Sequence, residues 1–173
     1  MNTVLLANLI KIRWIAILGQ LITLVTIFFV FNFTIPLIEC LFVVLLSILV
    51  NFSSYFIQRG NSTLTDKKTF LFLLFDISQL VGLLFLTGGV FNPFVVLILA
   101  PIIISASYLS ALSTILLSLY SILLILIINF NYIPLNWEKN FTTPPIYNIG
   151  ILVALIITIV FLAIYAYLFA SSA

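Results

Sequence analysis

The segment Gly88-Gly89-Val90-Phe91-Asn92-Pro93-Phe94 combines residue types that could hold an uncharged, lipid-soluble ligand. Glycine breaks the helix before it and lets another molecule approach the backbone. The missing Pro93 N–H and the Asn92 side chain suit the start of the helix after it. Phe91 and Phe94 add flat apolar surfaces beside those polar groups. The candidate contacts are therefore Gly88, Gly89, Phe91, Asn92, Pro93 and Phe94, with no formal charge among them. On residue chemistry alone, the same segment also fits a plain turn between two helices.

A second set of polar residues lies inside apolar stretches. Asp76 falls about 10 Å from the edge of the third stretch at helical rise, where a bare carboxylate is costly. Gln20 and Asn51 fall about 9 Å inside the first and second stretches, and Gln79 is one turn beyond Asp76. This spacing predicts an intramembrane hydrogen-bond cluster of Gln20, Asn51, Asp76 and Gln79, with Asp76 protonated or hydrogen-bonded. Helix packing and a signalling or proton-linked role both fit it. Glu39, just after Pro36, suits a helix N-terminus and is assigned a structural role.

Other chemistries find no residues to carry them. There is no histidine, which removes histidine-ligated zinc and haem and a histidine phosphoacceptor, and Cys40 has no partner for an intrachain disulfide. No Walker loop, no Ser/His/Asp set and no His/Cys cluster is present, so no catalytic residue and no metal ligand is assigned. Nothing points to nucleic acid. The Asn-x-Ser/Thr matches at Asn32, Asn51, Asn61 and Asn140 are those expected by chance in such a chain.

The elements that must position these groups follow from composition. Of 173 residues, 65% are hydrophobic and 6% charged, with a mean hydropathy of +1.42. The chain is therefore expected to be an all-α, polytopic membrane bundle with room for about six spans of roughly 20 residues. They are placed at about residues 14–32, 36–57, 69–86, 93–109, 112–131 and 146–169. The uncharged run from Pro93 to Asn131 must be two helices, because one helix would reach about 58 Å. Its break is expected between Tyr108 and Ser113, where Ser107, Ser110 and Ser113 can cap freed backbone groups. Pro101 should bend the fourth helix, and the small residues from Ala100 to Ser121 allow close helix approach.

Lys11, Arg13, Arg59, Lys67 and Lys68 fall on one side of the spans and Lys139 on the other, which places both termini in the cytoplasm. The Gly88–Phe94 turn and the loop carrying Trp137 then face outward. The first stretch is too long for a signal peptide and lacks a small-residue cleavage site, so it is expected to be retained. The apolar segment Thr3 to Ile10 is expected along the membrane surface or under the bundle.

Gly88-Gly89-x-x-Asn92-Pro93-Phe94, with Asp76-x-x-Gln79-Leu80 and Leu86-Thr87 before it and Pro101 and Ser105-Ala106-Ser107 after it, resembles the membrane domain of RegB/PrrB-type redox-sensing histidine kinases. Arg13-Trp14-x-Ala16-x-x-Gly19-Gln20 is similar to the same family. In span number and topology the resemblance covers essentially the whole chain. It implies a bacterial inner-membrane sensor that binds ubiquinone at Gly88, Gly89, Asn92, Pro93 and Phe94. It also implies a homodimer, and a cytoplasmic kinase that uses ATP and passes signal to a response regulator. A helix N-terminus with Asn92, Phe91 and Phe94 offers the donors and flat apolar surround that a quinone head needs. The kinase segments of that family are not in this sequence, which ends at Ala173, so it is expected to be the input part of a longer sensor. Cys40, inside a span, does not match the family's cytoplasmic redox cysteine. Alternatives from other classes are a small transporter or channel subunit built as two three-helix halves, and a purely structural membrane subunit.

Overall fold

The computed structural model describes residues 6–30, 33–57 and 64–135, together with Ile149, Ile151, Leu152, Leu155, Ile156, Ile159 and Val160, which are helical. The described residues form helices joined by short turns, with no β-strand among them, as the all-α expectation requires. Helix α1 runs Leu6–Val25 and continues through a π-helical turn, Thr26–Val30. Helices α2 (Leu37–Ile57) and α3 (Asp66–Leu86) follow. A 3-10 turn at Gly89–Phe91 leads into a 3-10 helix at Pro93–Ile98, which merges into α4 (Leu99–Tyr108), and α5 spans Ala111–Phe130.

Among the described residues four helices are long and apolar enough to cross a membrane: Leu9–Val30, Leu37–Phe56, Asp66–Leu86 and Ala111–Phe130. The chain is accordingly a multi-pass membrane protein. The segment expected as the fourth span is a shorter apolar helix, Pro93–Tyr108. Its opening 3-10 stretch rises faster per residue than an α-helix, which brings its length to roughly 27 Å, close to the hydrocarbon thickness. Pro101 lacks the N–H that would bond to Leu97 in an α-helical register, so the tighter winding before it sacrifices little. The expected sixth span, 146–169, and the Trp137 loop fall mostly outside the described residues.

The start of α1 packs with the bundle and does not lie along the membrane surface. Residues from Leu6 onward belong to the same helix as the first span, and Leu9 and Ile10 are core residues rather than surface ones. The two cations do not interrupt the helix: Lys11 faces outward, whereas Arg13 is turned inward and is only 7% exposed.

Helix α3 lies at the centre of the bundle, packed on α2, α4 and α5. Leu73, Ile77 and Leu84 of α3 form one core with Ile98, Ile102, Leu117, Ile125 and Ile128. A second core joins Ile17 and Leu24 of α1 to Cys40 and Val44 of α2 and Leu83 of α3. Large apolar side chains such as Ile15, Ile22, Ile38 and Phe56 face outward, as a lipid-bathed surface requires.

Both ends of the α3–α5 pair are tied. At one end the Asp66 carboxylate accepts hydrogen bonds from Ser110 N (2.8 Å), Ser110 Oγ (3.2 Å) and Ser113 Oγ (2.6 Å). Ser110 also accepts from Ser113 N and so caps α5. At the other end Gly88 N–H donates to Ile133 O and Ile133 N–H donates to Phe85 O, at 3.0 and 2.8 Å. These ties make α3 and α5 run in the same direction.

Candidate functional site

The glycines of the turn have a steric reason to be glycine. Gly88 has φ +104° and Gly89 φ +61°, the left-handed region that other residues enter at a cost. A Cβ on Gly89 would lie 2.7 Å from Tyr132 Cγ and 2.9 Å from the Ile128 carbonyl oxygen; one on Gly88 would press on Leu135. Phe91 packs on Tyr132 with ring centroids 5.8 Å apart. The molecule that approaches the backbone at Gly89 is therefore the protein's own α5 end.

Asn92 is 6% exposed and engaged as a donor. Its Oδ1 accepts from Phe94 N at 2.9 Å, the cap expected from an Asn before a Pro at the first helical position. Its Nδ2 donates to Thr87 O (3.0 Å) and Thr87 Oγ1 (2.8 Å), and Thr87 Oγ1 in turn donates to Leu83 O. Asn92 thus fastens the end of α3 to the start of the next helix.

Beside this turn a cleft of about 440 Å³ opens between α1 on one side and α3 with α4 on the other. Asn92 and Phe94 border one end of it, Gln20, Thr23 and Gln79 its middle, and Arg13 and Asp76 the other end. Leucine, isoleucine and proline side chains, among them Leu83, Leu97, Pro101 and Ile104, line the rest. Of the six residues expected to touch a ligand, Asn92 and Phe94 border the cleft; Gly88, Gly89, Phe91 and Pro93 do not.

The polar residues expected as one cluster form three separate links. Arg13 pairs with Asp76 through Nη2–Oδ1 at 2.7 Å and Nε–Oδ2 at 3.1 Å. Its Nη2 also donates to Phe72 O at 3.0 Å, and the guanidinium lies 4.6 Å from the Phe72 ring centroid. Gln20 and Gln79 bond each other reciprocally, at 3.2 and 3.0 Å. Asn51, fully buried, donates to Ile10 O and so joins α2 to α1. Asp76 therefore meets Arg13, not Gln20 or Asn51. Arg13 precedes Gln20 by seven residues and Asp76 precedes Gln79 by three, and the long Arg13 side chain spans the difference. Among the described residues no group of His, Cys, Asp or Glu could hold a metal ion.

No family model and no solved structure matches the chain. It is 35% identical over 163 residues to the sensor histidine kinase RegB of Cereibacter sphaeroides, an alignment covering 93% of this chain. The chain spans 35% of the length of that relative. With similarity over nearly its whole length and a bundle of membrane-crossing helices, this chain is a sensor domain of the RegB type.

Proposed function

We propose that this chain is the membrane sensor portion of a two-component histidine kinase, and that it binds ubiquinone in the cleft between α1 and the α3–α4 pair. The observation that carries this reading is the cleft itself. It is apolar along most of its length, carries a few polar side chains, and is bordered at one end by Phe94 and Asn92. Those are the features of a small-molecule site for a flat apolar head group. The site is thus moved from the turn backbone to the cleft that the turn borders.

Polar side-chain bridges tie α1 to α3 across the cleft, so an occupant that spreads or draws in these helices changes their relative position. Oxidised and reduced quinone must bind with different affinity in two helix arrangements, since equal binding shifts nothing. In the bacterial inner membrane, as a homodimer, the chain would pass the signal to a cytoplasmic kinase region and through that to a cytoplasmic response regulator. ATP would be used only by that kinase region. The transporter reading is less well supported, because the one deep acid, Asp76, is already paired with Arg13 rather than free to couple an ion.

The test is saturable binding of a short-chain ubiquinone analogue to the chain in lipid nanodiscs. Phe94→Ala should weaken binding about threefold to tenfold, the worth of one aromatic contact. Absence of saturable binding, or equal binding by the variant, contradicts the proposal. A counterflow assay in liposomes should show no transport.

A further inference from the structure

The hydrogen bonds along the cleft separate the residues that can still serve a ligand from those already committed. The Asn92 Nδ2 is already engaged by Thr87, donating to its carbonyl and hydroxyl oxygens. At the far end Arg13 and Asp76 satisfy each other, and Arg13 also holds Phe72 O. Midway the count differs. In their reciprocal pair Gln20 and Gln79 each use one amide N–H and one carbonyl lone pair. A primary amide has two of each, so each side chain keeps one donor and one acceptor site.

Both glutamines are half-buried and border the cleft. Thr23, one turn along α1 from Gln20, borders it too, and its hydroxyl has no hydrogen-bond partner among the described residues. The rise from Gln20 to Thr23 is about 4.5 Å, so both side chains can reach the same end of a head group. A polar patch of this composition inside an otherwise apolar cleft has the capacity that the turn lacks.

We propose that Gln20, Gln79 and Thr23 hydrogen-bond the ring oxygens of the quinone, and that Asn92 is a positioning residue that shapes the mouth of the cleft. This assignment rests on the quinone reading given above. The amide pair can serve either oxidation state. An oxidised ring carbonyl accepts from the spare Nε2–H, and a reduced ring hydroxyl donates to the spare Oε1 lone pair. The head group then sits between α1 and α3, the two helices whose separation the polar bridges set.

The experiment uses the full chain in nanodiscs and a short-chain ubiquinone analogue isotopically labelled at its ring carbonyls, read by infrared difference spectroscopy. Binding to the wild type should move the labelled carbonyl band to lower frequency, the signature of a hydrogen bond. Gln79→Met and Gln20→Met should each return the band towards its free position and weaken binding about tenfold. Phe94→Ala should weaken binding and leave the band where it is. Saturable binding with an unshifted band in the wild type, or with the same shift in both methionine variants, overturns this assignment and leaves the quinone reading standing. No saturable binding by the wild type overturns both. Should a methionine variant fail to fold, the other variant and the wild-type band position still decide the matter.

Discussion

Gly89→Ala distinguishes two roles for the turn, close packing of the protein on itself and close approach of a ligand. At φ +61° an alanine costs about 1–2 kcal/mol for the left-handed backbone. Its Cβ would stand 2.7 and 2.8 Å from Tyr132 Cγ and Cβ and 2.9 Å from the Ile128 carbonyl oxygen. Two of these contacts belong to or adjoin backbone that is held in place, because Ile133 is bonded to both Gly88 and Phe85. Overpacking of this kind costs roughly 1–3 kcal/mol. Reduced freedom of the unfolded chain returns about 0.4–1 kcal/mol, leaving a net loss of about 1–5 kcal/mol. Reversible unfolding in mixed micelles, followed by circular dichroism without added ligand, measures it. Gly19→Ala is the control: no atom lies within 4 Å of its Cβ, so the helix should gain about 0.5–1 kcal/mol. A Gly89→Ala protein as stable as the wild type would refute the packing argument. Full stability with ligand binding lost would return the glycine to a ligand role.

Three further outcomes follow from the polar links. Asp76→Asn leaves the inward-turned Arg13 guanidinium short of its counter-charge and should cost about 3–5 kcal/mol in the same unfolding assay, whereas Arg13→Met with Asp76→Leu should recover most of it. Equal stability of Asp76→Asn and wild type would sink that account. Asp66→Ala removes the acceptor of three hydrogen bonds; because Asp66 is only half-buried, the loss should be about 1–2 kcal/mol, with faster hydrogen exchange at Ser113 and Thr114. Unchanged exchange there would contradict its role in capping α5. Asn92→Ala should destabilise the apo protein by about 1–3 kcal/mol, since Thr87 and Phe94 lose their partner. If Asn92→Ala lowered ligand affinity and left apo stability intact, Asn92 would be a ligand contact instead.

Much of this architecture is legible in residue types. Apolar run lengths give the helices, and Gly88-Gly89 followed by Asn92-Pro93 gives a helix end and a capped start, both as found. Serine at 110 marks the turn into α5. What sequence did not reveal is the partner of each special residue. Depth arithmetic puts Gln20, Asn51 and Asp76 in one layer, but depth leaves the direction around each helix undetermined, and Asn51 points to Ile10 instead of the cleft. Arg13 looks like a membrane-edge cation because charge counting sets orientation; its long side chain instead reaches Asp76. The neighbour that makes Gly89 necessary, Tyr132, is distant in sequence, so no local pattern could name it. The 3-10 winding of Pro93–Ile98 also lacks a signal beyond the two prolines that bracket it.

Photolabelling of the chain in nanodiscs with a photoreactive ubiquinone analogue, followed by peptide mapping, tests the cleft most directly. Labels should fall on α1 around Gln20 to Leu24 and on Phe94 to Pro101, and excess unlabelled quinone should compete them away. Labels spread over outward residues such as Ile38 and Phe56, without competition, would mean that the quinone meets this protein only as it meets any membrane surface.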